Sequence, residues 1–222
     1  MIFFLLVLLA AADAGAAHPK ENPNTKFLSR DLDVPAWVKK FESPGREVYD
    51  KRNQVAAAVH LKKGMSVADV GAGTGLYTML FSKAVGPSGT VYAVEVAPRF
   101  LESLEKRARK EKATNVKVVK GSETSIELAS GSVDRVFVCD TYHHFDSPKE
   151  TLASIRKALR PDGELLIVDF KREPGKTAAW ITEHVRAGQA EVTKEIEAAG
   201  FAKVEELPLL AENYVLRFRL RP

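Results

Sequence analysis

The stretch VADVGAGTGLYT, residues 67–78, joins an apolar strand to a glycine-rich loop and the start of a helix. Three glycines, at positions 71, 73 and 75, let the backbone turn sharply and approach a ligand closely. The helix that follows offers unpaired N–H groups and the positive end of its dipole. The segment therefore predicts a ligand-binding loop made of Gly71, Ala72, Gly73, Thr74 and Gly75.

On both sides of this loop, short apolar runs alternate with helical patterns. Four of the predicted strands are apolar on successive residues, which is typical of parallel strands covered on both faces. We therefore expect an α/β fold: a doubly wound, Rossmann-like sheet of seven mostly parallel strands that ends in an antiparallel C-terminal hairpin. The predicted strands cover 66–70, 90–95, 116–119, 133–139, 164–170, 201–207 and 212–220, and the predicted helices cover 46–61, 76–84, 98–112, 148–160 and 180–199.

Side chains around the loop indicate which ligand it holds. A dinucleotide-binding loop would read G-x-G-x-x-G/A, but Leu76 stands three residues after Gly73. Asp69, just before the glycines, would repel a phosphate and suit a cation. Glu95 ends the second strand, twenty residues after Gly75, where an acid can accept both hydroxyls of a ribose. A ligand with a ribose, a positive charge and no phosphate matches S-adenosylmethionine.

These residues resemble the motifs of class I S-adenosylmethionine-dependent methyltransferases, particularly the small bacterial enzymes of the ubiquinone/menaquinone methyltransferase type. The resemblance extends from about Trp37 to Leu220. It keeps the family's order: the glycine motif, the acid that ends strand two, the turn at 121–123, DTYHH at 140–144 and RPDGELLIVDF at 160–170. It implies that the glycine loop holds the methionine part of the cofactor and that Glu95 holds the ribose.

The resemblance also implies where the adenine lies. The residue after strand three often contacts the adenine amine, and the family usually has an aspartate there, directly after a glycine. This chain has Ser122 and then Glu123. Val96 either covers the adenine or only packs between strand and helix. Tyr49 lies on the helix before strand one, which folds over the cofactor in such relatives. Tyr49 therefore either contacts the methionine carboxylate or the acceptor, or lies on an exposed helix face.

Candidate catalytic residues follow the fourth strand. Asp140, His143 and His144 lie at the carboxyl edge of the sheet, near where a methyl group would be presented. Histidine is well suited to take a proton near neutral pH, and Asp140 could orient a histidine or the acceptor, or contact the cofactor's amino group. Neighbouring residues of an extended chain point in opposite directions, so at most one histidine is expected to face the site. The alternative is a helix cap or a polar cluster.

No metal site is predicted. A site needs three or more ligands, and the other histidines, His18, His60 and His184, show no H-x-x-x-H or H-E-x-x-H spacing. The single cysteine, Cys139, excludes an intrachain disulfide and is expected to be a small buried residue. Trp180 and His184 are four residues apart and share a helix face, where they form either a lid over the acceptor or part of the core.

Composition excludes several classes of protein. Of the 222 residues, 45% are hydrophobic and 28% are charged, unlike a disordered, collagen-like or polytopic membrane protein. The net charge of +4 is only a mild excess, so nucleic acid is not an expected partner.

The N-terminus reads as a separate segment. The apolar run at 1–12 is shorter than the roughly 20 residues of a membrane-spanning helix, and small residues follow it. We expect residues 1–17 to be a signal peptide, with an uncleaved anchor or a misassigned start codon as alternatives. A flexible leader at 18–36 and a methyltransferase domain at 37–222 follow. A real signal predicts a periplasmic or secreted protein, and its absence predicts a cytoplasmic one.

The predicted function is transfer of a methyl group, in line, from S-adenosylmethionine to a small-molecule or lipid-like acceptor. Two alternatives come from other classes of protein. One is an NAD(P)-binding oxidoreductase, which Leu76 and Asp69 disfavour. The other is a non-catalytic S-adenosylmethionine-binding protein that keeps the fold.

Overall fold

Seven strands form one sheet in the computed structural model, which describes residues 24–173 and 175–222. They are β1 (Ser66–Val70), β2 (Thr90–Glu95), β3 (Val116–Lys120), β4 (Val133–Cys139), β5 (Leu159–Phe170), β6 (Phe201–Glu206) and β7 (Asn213–Leu220). Their order across the sheet is β3-β2-β1-β4-β5-β7-β6. Strands β1 to β5 pair in parallel, and β7 pairs antiparallel with β5 and β6. The predicted α/β fold with its C-terminal hairpin is confirmed.

Helices cover both faces of this sheet. They are α1 (Thr25–Leu28), α2 (Val34–Phe41), α3 (Glu47–Asp50), α4 (Arg52–Ala57), α5 (Leu76–Val85), α6 (Pro98–Lys110), α7 (Pro148–Ala158), α8 (Ala179–His184) and α9 (Gln189–Ala198), with a 3-10 turn at Tyr142–His144. Strand β1 lies between β2 and β4, and the strand order reverses direction at β1. The topological switch point therefore lies beyond the carboxyl end of β1. Ligands bind at such points in open α/β sheets.

Apolar packing on both faces explains the continuous hydrophobic runs of the strands. On β4, Val136 and Val138 belong to one core, with Ile155 of α7. Phe137 points to the opposite face. There its ring centroid lies 4.8 Å from that of Tyr77 and 5.1 Å from that of Phe81, both on α5.

Two predicted helices are each broken in two. Between α8 and α9, the link at 185–188 buries Val185 and Ala187 in the core, and this burial outweighs continued helix formation. Between α3 and α4, Lys51 donates to the carbonyl of Leu209 at 2.8 Å, and Glu47 accepts two backbone N–H groups of the same distant loop. In both cases tertiary contacts override local propensity.

Strand β5 begins earlier than predicted. Leu159 pairs with Val133, and Glu164 pairs with Arg135, so the residues between Leu159 and Glu164 form an irregular bulge. The Pro161-Asp162-Gly163 sequence, which reads as a turn before the strand, is accommodated in this bulge.

Residues 24–36 are not a loose leader, so that part of the prediction is wrong. The Asp33 carboxylate accepts a hydrogen bond from the Ala36 N–H and caps α2. Leu32 and Val34 are buried in a cluster with Phe100 of α6. This packing fixes α1 and α2 over the carboxyl edge of the sheet.

The predicted signal segment at 1–17 and residues 18–23 of the leader lie outside the described residues, so the signal and the localisation stay predictions. Within the described part of the chain, none of the helices combines the length and apolar character needed to cross a bilayer.

A buried arginine ties the C-terminal hairpin to the sheet. The side chain of Arg217 on β7 is 2% exposed and donates to Glu164 of β5 at 2.8 Å and to Glu205 of β6 at 2.6 Å. A third hydrogen bond, 2.6 Å long, reaches the carbonyl of Ala58. The guanidinium therefore joins three strands and the end of α4.

Replacing Arg217 with methionine should lower the free energy of unfolding by about 2 kcal/mol. Breaking a buried ion pair usually costs about 3–5 kcal/mol, but here Glu164 keeps Arg219 and Arg135 as partners. The matched control is Arg219→Met, whose 60% exposed side chain pairs with the same carboxylate and should cost less than about 1 kcal/mol. Urea unfolding measures both losses, and equal losses would contradict this account.

Candidate active site

Backbone conformation favours glycine at all three positions of the loop, and packing adds a second reason at two of them. Gly71, Gly73 and Gly75 have φ values of +71°, +52° and +88°, a region that other residues rarely adopt. A Cβ on Gly71 would lie 2.2 Å from the side chain of Thr141, and one on Gly75 would lie 2.8 Å from Leu104. A Cβ on Gly73 would meet only a backbone oxygen, at 3.8 Å. Packing thus requires glycine at 71 and 75, whereas Gly73 leaves open space that a ligand can fill.

Glu95 is locked against this loop. One carboxylate oxygen accepts from the Gly73 N–H at 2.8 Å, and the other accepts from Val96 and Ala97 at 2.7 and 2.9 Å. Burial raises the pKa of Glu95, and the three N–H groups oppose that effect. A carboxylate has about four acceptor positions, which leaves room for one ribose hydroxyl. The predicted contact with both hydroxyls requires the Gly73 bond to give way.

Asp69 stands at the end of β1 beneath the loop. It is 3% exposed and accepts a hydrogen bond from the Thr78 hydroxyl of α5. Burial raises the pKa of Asp69 to about 7, and the Thr78 bond acts in the other direction. Asp69 is therefore neutral below about pH 7 and negatively charged above it. A nearby cation would stabilise the charged form.

Two cavities meet at the loop. The smaller, of about 140 Å³, is lined by Val96, Ser122 and Glu123 together with Glu95. The larger, of about 1090 Å³, is lined by the other predicted cofactor residues, Asp69, Ala72 and Thr74. The residues that line both cavities are Phe27, Phe41, Gly71, Gly73, Asp140, Thr141 and His144. The structure therefore brings together most of the predicted site.

Two predicted cofactor residues, Gly75 and Tyr49, line neither cavity. Gly75 shapes the turn of the loop, whereas Tyr49 lies on α3. Its ring instead carries the guanidinium of Arg52, 4.4 Å from the ring centroid. From the same part of the chain, Arg46 and Val48 line the larger cavity. The described structure therefore does not bring Tyr49 to the site.

Asp140 does not orient a histidine. It has a φ of +47°, accepts from Asn213 at 2.6 Å and pairs with Arg46. The carboxylate that holds His143 is Asp169 of β5, which lies 2.7 Å from Nδ1 and also accepts the His143 backbone N–H. The resulting pKa of His143 is raised, because Asp169 outweighs the opposing effect of burial.

Both neighbouring histidines face the larger cavity, so the prediction that at most one would do so is wrong. They lie in a 3-10 turn, not on an extended chain, and their ring centroids are 4.2 Å apart. Burial, together with His143 and His184 nearby, holds the pKa of His144 well below its ordinary value. His144 is therefore a neutral imidazole at neutral pH.

The spacing argument against a metal site also fails. Ring nitrogens of His143, His144 and His184 lie within 4.8 Å of one another. Folding of α8 over the 3-10 turn creates this cluster from residues forty positions apart, which no local motif search detects.

A comparison with known proteins decides the family. A family model described as "Methyltransferase domain" matches residues 61–213. The chain belongs to the class I methyltransferases. The methyltransferase is 32% identical over 154 residues to the protein-L-isoaspartate O-methyltransferase of Methanococcus maripaludis, covering 65% of this chain and 67% of that protein. It is 23% identical over 185 residues to the demethylmenaquinone methyltransferase of Geobacillus stearothermophilus, covering 71% and 79%.

A solved structure agrees with this assignment. An S-adenosylmethionine-dependent methyltransferase from Aquifex aeolicus matches with a TM-score of 0.74 and 30% identity, covering 83% of this chain and 97% of that one. The predicted class of enzyme is confirmed.

Sequence reasoning missed the cap over the methyltransferase's cleft. Phe27, Trp37 and Phe41, from α1 and α2, line the larger cavity, and their rings are in contact, with centroids 4.8 to 5.0 Å apart. A signal was present, because Val34, Trp37, Val38 and Phe41 follow the i, i+3, i+4, i+7 pattern of a helix with one apolar face.

Trp180 lies at the mouth of the same cavity. Trp180 is 52% exposed. Its ring contacts that of Phe170 edge-on, with the ring centroids 5.2 Å apart. Of the two roles predicted for Trp180, the structure favours a lid over core packing.

Proposed function

We propose that the methyltransferase binds S-adenosylmethionine between the glycine loop and Glu95, and transfers its methyl group in line to a small-molecule or lipid-like acceptor in the larger cavity. One observation carries the cofactor assignment. The Glu95 carboxylate and the open space at Gly73 border the same two-part cleft, which fits a nucleoside on one side and an amino acid on the other.

The residues that would hold each part of the cofactor differ in chemistry. Glu95 would accept a ribose hydroxyl, and Val96, Ser122 and Glu123 would enclose the adenine in the smaller cavity. On the other side of the loop, the buried Asp69 carboxylate favours the cationic methionine part. Arg46, at the rim of the larger cavity, supplies a positive charge on the side where the methionine carboxylate would lie.

Positioning is the main task of the protein in this reaction. When bound, S-adenosylmethionine supplies a methyl group that is already electrophilic because it is attached to a sulfonium. Holding an acceptor in line at near-attack distance contributes up to about 7–11 kcal/mol. The cap of α1 and α2 and the Trp180 ring cover part of the larger cavity, and reduced access of water favours dispersal of charge in the transition state.

Aromatic rings on several sides of the larger cavity support an apolar, ring-containing or lipid-like acceptor. Phe27, Trp37, Phe41, Phe170 and Trp180 supply these rings, and such surfaces bind flat apolar ligands. The relative from Geobacillus stearothermophilus, named for demethylmenaquinone, is consistent with that class of acceptor.

Calorimetric titration tests the cofactor assignment. The full chain should bind S-adenosylhomocysteine with one site and should not bind NADH. Glu95→Ala should weaken S-adenosylhomocysteine binding at least about tenfold, or about 1.4 kcal/mol, because a ribose partner is lost. Glu102→Ala, an exposed glutamate on α6 with a 54% exposed side chain, is the control and should bind normally. Tight NADH binding without S-adenosylhomocysteine binding would overturn the proposal.

A further inference from the structure

Three histidines from two distant segments converge at one wall of the larger cavity. His143 and His144 come from the turn after β4, and His184 comes from the end of α8. The His184 ring centroid lies 5.0 Å from each of the other two. One ring nitrogen from each residue lies within 4.8 Å of the others. In a tetrahedral zinc site such nitrogens are about 3.3 Å apart, so small ring rotations close the remaining gap.

The His143 ring is already oriented as metal-bound histidines are. Asp169 is 1% exposed and holds Nδ1 of His143 at 2.7 Å. The same carboxylate accepts the backbone N–H of Phe170 at 2.8 Å, so it cannot swing away. A histidine whose far nitrogen is held by a carboxylate presents Nε2 as the ligand, and that second partner fixes the tautomer and strengthens the ligand.

The Nδ1 atom of His144 is buried and lacks a hydrogen-bond partner among the described residues. A buried unsatisfied polar atom costs about 1–3 kcal/mol, which calls for an explanation. His184 is half-buried on α8 and lines the same cavity. His143 with its ring held by Asp169, His144 with an unsatisfied Nδ1, and the half-buried His184 form a set of three ligands.

We propose that His143, His144 and His184 bind a divalent transition-metal ion, with Zn²⁺ as the expected occupant. Three histidines with a free fourth position are the ligand set of an open, catalytic zinc site rather than a closed structural one. Asp169 and Asp140 supply negative charge on the protein side, and Lys26 and Lys40 are cations that oppose it. The free position faces the cavity that also contains the glycine loop.

The role of the ion rests on the proposed function. An acceptor with an ionisable O–H or S–H group would bind the metal through that atom and lose its proton to bulk water, because a bound metal lowers the pKa of such groups. The freed electron pair of the oxygen or sulfur then forms the bond to the methyl carbon. The carbon–sulfur bond of the sulfonium breaks and its electron pair stays on sulfur, so S-adenosylhomocysteine leaves.

Metal binding by the full chain tests the site directly. After metal removal, the protein should bind one Zn²⁺ per chain in competition with a chromophoric chelator. It should also take up Co²⁺ with the visible absorption of a tetrahedral nitrogen site. His184→Ala and His144→Ala should each weaken Zn²⁺ binding at least about tenfold. His60→Asn is the matched control, because His60 is exposed at a φ of +56°, where asparagine is tolerated.

Thermal unfolding and S-adenosylhomocysteine titration of the same variants separate the possible failures. Because His144 is more buried, its variant could lose stability, whereas the half-buried His184 gives a second test. The site is overturned if the wild type binds no Zn²⁺, or if a folded His184→Ala variant binds it as tightly as His60→Asn does. If S-adenosylhomocysteine fails to bind while Zn²⁺ binds, the metal site stands and the proposed function falls.

Discussion

Replacing Gly73 with alanine should weaken S-adenosylhomocysteine binding at least about 100-fold, or about 2.7 kcal/mol. The added methyl group would meet only a backbone oxygen at 3.8 Å, so it fits the ligand-free protein. Gly73 lines both cavities, and the space beside it is where the ligand is expected to lie. Alanine keeps the backbone N–H that Glu95 accepts, so loss of that hydrogen bond does not contribute.

Gly131→Ala is the matched control for this variant. Gly131 has a φ of +60° and open space where a Cβ would lie, but it lines neither cavity of the site. Both substitutions should cost about 1 kcal/mol of stability, because alanine is disfavoured in the left-handed region. Only Gly73→Ala should lose affinity in a calorimetric titration. Equal affinities in the two variants would mean that the ligand does not approach the loop.

The pH dependence of stability should carry the signature of Asp69. Its pKa is about 7 in the folded protein and about 3.9 in an unfolded chain. Between these values the folded protein holds a proton that the unfolded chain has released. Stability from this group is therefore complete below about pH 4 and is lost as the pH rises to about 7. The full loss is about 4 kcal/mol, at about 1.4 kcal/mol per pH unit.

Comparison with Asp69→Asn isolates this contribution, because asparagine cannot titrate and can still accept from Thr78. Denaturant unfolding should show the wild type losing stability relative to Asp69→Asn by about 3 kcal/mol between about pH 4.5 and about pH 7. Parallel stability curves for the two proteins would show that Asp69 titrates normally. That result would contradict the raised pKa that burial gives Asp69.

The parallel part of the sheet could be predicted from sequence because its signals are local. Strands β1, β2 and β4 are buried on both faces, so their apolar residues are continuous, and Gly75 and Pro98 mark where helices begin. The ends of α3, α8 and β5 could not be predicted in this way. They depend on contacts with distant segments, such as the bond from Lys51 to the Leu209 carbonyl.

The cofactor half of the site could be predicted from the sequence, whereas the histidine half could not. The glycine loop and Glu95 follow from one continuous motif and a fixed spacing. The partner of His143 is Asp169, twenty-six positions away on β5, and the third histidine of the cluster lies on α8. No spacing rule links these residues, because the sheet and the fold of α8 bring them together. Tyr49 was predicted from a helix that the structure breaks beside it.

The most direct test is a crystal structure of the full chain with S-adenosylhomocysteine. We expect a ribose hydroxyl within hydrogen-bonding distance of Glu95, the adenine beside Val96 and Ser122, and ligand atoms in contact with Gly73. A ligand bound elsewhere, or a cleft that stays closed at saturating concentration, would contradict the central claim that this loop and this acid form the cofactor site.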